Sequence, residues 1–91
     1  MTCAVRFQLG QVTITANASL RLPTEAVFTA LSRHASGDWG DLCEEDRREN
    51  QFSLERGFRL LSSYRILADV KLYVITEADR SATTILLPEE Y

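Results

Sequence analysis

Residues 58–87 alternate apolar and polar side chains in three successive runs with short polar breaks, and little but a β-meander satisfies that pattern. Phe58, Leu60, Ser62, Tyr64 and Ile66 alternate with Arg59, Leu61, Ser63 and Arg65. Ala68-Asp69-Val70 makes a turn without Gly. Residues 71–77 (KLYVITE) are β-branched and aromatic, which suits a central strand. Ala78-Asp79-Arg80-Ser81 turns the chain again, and residues 82–87 form a third strand ended by Pro88. Glu89-Glu90-Tyr91 reads as a polar tail expected to fray. The last strand has no evident cover, so a homodimer through an exposed edge strand is expected.

Ahead of the meander the period becomes helical. Val27, Ala30, Leu31 and His34 share a face. The helix is expected to start near Thr24, a good N-cap type with Glu25 in the first turn, and to end at Gly37. A second helix is expected from Leu42 or Cys43 to Arg56, with Asp41 as a candidate N-cap and Gly57 as its stop. Leu42, Phe52 and Leu54 are its few apolar anchors. Glu44 faces Arg47 and Arg48 at helical spacing, so this helix is expected to be mostly solvated. Residues 5–9 alternate as a strand, Gly10 interrupts, and Val12, Ile14 and Ala16 resume, giving one bent strand or a short hairpin. Asn17-Ala18-Ser19 reads as a turn. The expected fold is α+β in a single domain over residues 1–91. It consists of N-terminal strand or strands, two helices packed on one sheet face, and a three-stranded antiparallel meander.

Composition limits the roles open to such a chain. It has 91 residues, of which 45% are hydrophobic and 25% charged, a globular balance that excludes disorder. Ten Lys and Arg against thirteen Asp and Glu give a net charge of −3. That makes non-specific nucleic-acid binding an unfavoured role and suits contact with a basic protein surface. No secretory signal and no bilayer-spanning run is visible, so a cytoplasmic protein with Cys3 and Cys43 as reduced thiols is expected.

No motif dictates a reaction. His34 is the only histidine and lies nine residues before Cys43, but a helix-terminal histidine favouring the dipole is the simpler reading. Two Cys and one His without a C-x-x-C pair cannot build a structural zinc site. Asp38, Asp41, Glu44 and Glu45 offer oxygen ligands without the spacing of a calcium loop. No cofactor, metal or catalytic residue is expected. Trp39, the only Trp, stands between Gly37-Asp38 and Gly40-Asp41, where it serves as a core plug or as an interface anchor. The candidate interaction residues are Asp38, Trp39, Asp41, Glu44, Glu45, Arg47 and Arg48.

Three stretches carry a family resemblance. They are residues 33–42 (RHASGDWGDL), residues 45–50 (EDRREN) with 58–64 (FRLLSSY), and residues 75–91 (ITEADRSATTILLPEEY). In these the chain resembles a family of short bacterial proteins of plasmids, prophages and integrated elements, often labelled plasmid-related protein or type I restriction M subunit. The restriction label does not suit the residues, because a methyltransferase needs a doubly wound sheet with a Gly-rich cofactor loop. The chain departs from the family over residues 13–22. The resemblance implies a non-enzymatic interaction protein of a mobile element, of anti-CRISPR or antirestriction type, that acts by stoichiometric protein binding. The alternatives are a ligand-binding or catalytic module using His34, Asp38, Asp41 and the Arg47-Arg48 pair, and nucleic-acid contact through Arg47, Arg59 and Arg65.

Overall fold

The computed structural model describes residues 5–67 and 70–91; Cys3 and the expected Ala68-Asp69 turn lie outside the described residues. The α+β class holds. In chain order the elements are β1 (Gln11–Ile14), α1 (Ala16–Arg21), α2 (Thr24–Ala35), α3 (Glu44–Arg56), β2 (Leu60–Leu67), β3 (Val70–Thr76) and β4 (Ala82–Leu86). A 3-10 turn, Pro88–Glu90, follows.

The meander forms as expected, with β2 antiparallel to β3 and β3 to β4, but the sheet does not end there. β1 runs parallel beside β4, so the strand order is β1-β4-β3-β2 and the sheet is mixed. The last strand is therefore an inner strand, and the expectation of an uncovered edge at β4 is corrected. Gly10 makes this possible. Its φ is +66°, and a Cβ there would lie 2.3 Å from the Ser81 carbonyl oxygen, so only glycine lets the chain swing onto β4.

The N-terminal segment differs most from expectation. Residues 5–9 join no ladder. The Arg6 amide donates to the Ala35 carbonyl (2.8 Å), and the Leu9 carbonyl accepts from the Thr83 hydroxyl (2.7 Å). Ala16 and the expected turn at Asn17-Ala18-Ser19 belong to α1. The reason is Thr15, whose hydroxyl accepts from the Ala18 amide and so caps a helix where apolar alternation suggested continued strand. Two cap assignments also change. Pro23 occupies the N-cap of α2 with Thr24 already helical, and Cys43, not Asp41, occupies the N-cap of α3. The tail is fastened rather than frayed. Glu90 accepts from the Leu87 amide (2.9 Å) and the Thr15 hydroxyl (2.7 Å), and Glu89 pairs with Arg21 (2.8 Å).

The main core lies on one sheet face. Tyr64, Leu72, Val74 and Ile85 meet Ala18 of α1, Ala30 of α2, and Leu22 and Leu87. A second cluster joins Phe7, Trp39 and Leu60, with Leu9, Leu42 and Leu54 packed on it. α3 runs along the outer edge of β2. Asn50 donates to the Leu61 carbonyl (2.5 Å) and accepts its amide (3.2 Å). One step further along, Gly40 bridges to Ser63, and a Cβ at Gly40 would stand 2.0 Å from the Ser63 carbonyl oxygen. The edge of β2 is thus covered by the loop before α3 and by one side chain of α3.

Candidate functional site

α3 buries little. Asn50 and Ser53 are its buried residues, and Leu54 continues that stripe at helical spacing. The opposite stripe, Glu44, Arg48, Gln51, Phe52 and Glu55, faces a cleft of about 560 Å³ whose other wall is the Gly37–Trp39 loop. That volume lies within the range of ligand pockets, roughly 300–1,000 Å³.

Five of the seven sequence-predicted residues line this cleft: Asp38, Trp39, Glu44, Arg47 and Arg48. Asp38 is gripped by Arg33 through Nε (2.7 Å) and Nη2 (3.2 Å) and accepts the Gly40 amide. The Arg33 guanidinium holds the Asp38 carboxyl below its ordinary pKa. Arg47 donates to the Leu42 and Gly40 carbonyls (both 3.0 Å), so it secures the loop rather than pairing with Glu44. Glu44 and Arg48 form a loose exposed pair at 3.7 Å. The other two candidates lie elsewhere. Asp41 turns toward Arg65 at 4.0 Å, and Glu45 is exposed outside the cleft.

Trp39 is the core plug of the two roles open to it, with 4% of its surface exposed. Its ring stacks on Phe7 (6.2 Å between centroids) and meets His34 edge-on (5.7 Å). Its Nε1 has no hydrogen-bond partner among the described residues. Trp39 therefore fixes the cleft wall from behind.

Beside Trp39, the cleft has an aromatic residue not among the sequence candidates. Phe52 lies on the rim, 49% exposed, with Phe58 (52% exposed) 5.9 Å away and the Arg56 guanidinium over its ring at 5.1 Å. The expectation of Phe52 as an apolar anchor of this helix is corrected: Asn50, Ser53 and Leu54 form the buried stripe of α3, and Phe52 falls off it.

His34 does not reach the cleft. It is fully buried between α2 and the sheet, in a chain of hydroxyls whose proton positions can be derived. The Thr83 hydroxyl donates its one proton to the Leu9 carbonyl, so Thr76 must donate to Thr83 (2.8 Å). Thr76 then accepts from His34 Nε2–H (2.8 Å), leaving Nδ1 to accept from the Ser62 hydroxyl. The ring is neutral and every proton in the chain is used. Burial, reinforced by the charge of Arg80, lowers the His34 pKa to about 4. His34 and Asp41 thus do not converge with Asp38, Arg47 and Arg48, as a catalytic module using all five would need.

Among the described residues, no group of three or more His, Cys, Asp or Glu side chains is placed to hold a metal ion, and no helix is long and apolar enough to cross a membrane. Compared with protein-family models, with curated proteins and with solved structures, the chain matches none.

Proposed function

We propose that this chain is a cytoplasmic, non-enzymatic interaction protein that binds another protein through the cleft between α3 and the Gly37–Trp39 loop. The observation that carries the reading is the Phe52–Phe58 pair. Phe52 stands on the rim of the cleft on an otherwise charged helix, and the Phe58 ring lies 5.9 Å from it just beyond the helix end, each about half exposed. Exposed aromatics beside a recess are typical anchors of protein interfaces. The stripe Glu44, Arg48, Gln51 and Glu55 would give a polar border of mixed sign. Asp38 and Arg47 are already satisfied within the molecule and serve to hold the wall in shape. The resemblance to mobile-element proteins supports a host defence component as partner, bound stoichiometrically in the manner of an anti-CRISPR or antirestriction protein.

The test is retention of a partner from lysate of a host carrying such an element, with the wild type and a Phe52→Ser/Phe58→Ser variant immobilised in parallel. The expected result is a host protein held at one-to-one stoichiometry by the wild type and lost by the folded variant. A partner held equally by both would place the interface elsewhere and defeat the reading.

A further inference from the structure

The face of the sheet opposite the core has a different chemistry from the cleft. Side chains alternate along a strand, so Arg65, Lys71, Tyr73 and Leu86 share that face, away from Tyr64, Leu72 and Ile85. The ladder sets Arg65 directly opposite Lys71. Two like charges in that relation repel, and a bound anion would relieve the repulsion. Arg65 has only a loose carboxylate contact, 4.0 Å to Asp41.

One register step inward stands Tyr73, and Tyr91 meets it edge-on at 5.8 Å between centroids. Tyr91 is 60% exposed, yet it is held in place. Arg59 donates to its hydroxyl (2.5 Å), and the guanidinium lies 5.7 Å from the ring centroid. A pair of cations therefore leads onto a pair of positioned aromatic rings, away from the cleft. Asp46 and Glu49 line a recess beside Arg59, which leaves the Arg65–Lys71 end as the cationic entrance.

We propose that this face binds single-stranded DNA, with Arg65 and Lys71 on phosphates and with bases stacking on Tyr91 and Tyr73. The pattern of cations beside aromatics on an open sheet is the chemistry of single-strand platforms, whereas an acidic peptide would gain nothing from the two rings. DNA rather than RNA is the ligand proposed because Thr13 bonds Thr84 (3.2 Å), Ser63 is buried and the Tyr91 hydroxyl is taken by Arg59, which leaves the Tyr73 hydroxyl alone of these four sites to meet a ribose 2′-hydroxyl. The net charge of −3 does not oppose this, since binding here rests on the local Arg65–Lys71 pair rather than on the charge of the whole surface.

The experiment is fluorescence anisotropy with a labelled mixed-sequence single-stranded DNA oligonucleotide over a salt series. Binding is expected in the ~1–100 µM range of sequence-independent association, with a log–log salt slope of about −1.4 for two phosphate contacts. Lys71→Gln should weaken binding and reduce the slope by about 0.7. Tyr91→Ala should weaken it about tenfold at unchanged slope, while Tyr91→Phe retains it. Phe52→Ser should leave DNA binding intact, which separates this proposal from the cleft reading. Several results would overturn it: no binding in that range, indifference to both Lys71→Gln and Tyr91→Ala, or tighter binding of duplex, of the matching RNA or of a poly-glutamate peptide.

Discussion

The buried seam around His34 and the rim around Phe52 invert the usual placement of residues. Inside, a histidine, a serine and two threonines occupy core positions. Outside, two phenylalanines stand half in solvent. The seam is self-sufficient, because each proton finds an acceptor within the chain from Ser62 through His34, Thr76 and Thr83 to the Leu9 carbonyl. It ties α2 to three strands and to the N-terminal segment, and folding accounts for it completely. Nothing in folding accounts for the rim. Its aromatic surface remains in water, and α3 is held to the sheet by Asn50, Ser53 and Leu54 instead. Polar groups satisfied inside point to architecture, and apolar groups left outside point to a partner.

The contrast can be broken most forcefully at Trp39, which supports both regions. Trp39→Ala should cost about 3–5 kcal/mol in urea denaturation, the usual cost of truncating a buried aromatic; a cost under 1 kcal/mol would mean that the cleft wall does not depend on it. The seam has a pH signature. The fold holds His34 neutral, with its pKa at about 4 against 6.5 unfolded. Stability is therefore fully present above pH 6.5, falls as pH drops toward 4, and levels off below. The fall is about 3 kcal/mol, and it should vanish from the urea midpoints of a folded His34→Gln variant. Asn50→Ala strands the Leu61 amide and carbonyl and should cost about 1–3 kcal/mol. The smallest effect belongs to the rim. Phe52→Ser with Phe58→Ser should change stability by only about 0.5 kcal/mol each while removing partner binding. A large loss of stability there would turn the rim into core and erase the contrast.

How much of this was legible in the sequence depended on whether a local signal decided the outcome. The three C-terminal strands and α2 carry clear periods and stop signals, and their placements match to within a residue or two at most ends. The parallel strand β1 was not legible as such. Alternation marks a strand without naming its neighbour, and the pairing with β4 is made by Gly10 against Ser81, seventy-one residues away in the chain. α1 was hidden because Val12, Ile14 and Ala16 continue a period of two while Thr15 changes the backbone to a capped helix. At the site, the Gly37–Trp39 loop and the charged residues of α3 could be picked out by composition. Phe52 and Phe58 suit a helix anchor and a strand residue by sequence, because an apolar residue looks the same in sequence whether it faces in or out. Arg80 was equally silent. It adopts φ +62° in a turn and donates to the Phe58, Glu77, Ala78 and Ser53 carbonyls, a role that only the closed fold creates.

The parallel pairing of β1 with β4 also sets an order of events. During synthesis β1 leaves the ribosome before the three strands of the meander, and its neighbour Ala82–Leu86 is the last of these to be made. The β2–β3–β4 meander closes through short local turns, whereas β1 must bridge the entire intervening chain, the slower class of contact. The strand waits on a surface that does not yet exist, and the His34 seam waits with it, since Thr83 and the Leu9 carbonyl meet only when β4 is in place. Assembly is therefore expected to finish at β1, as a late docking of that strand onto a sheet made after it.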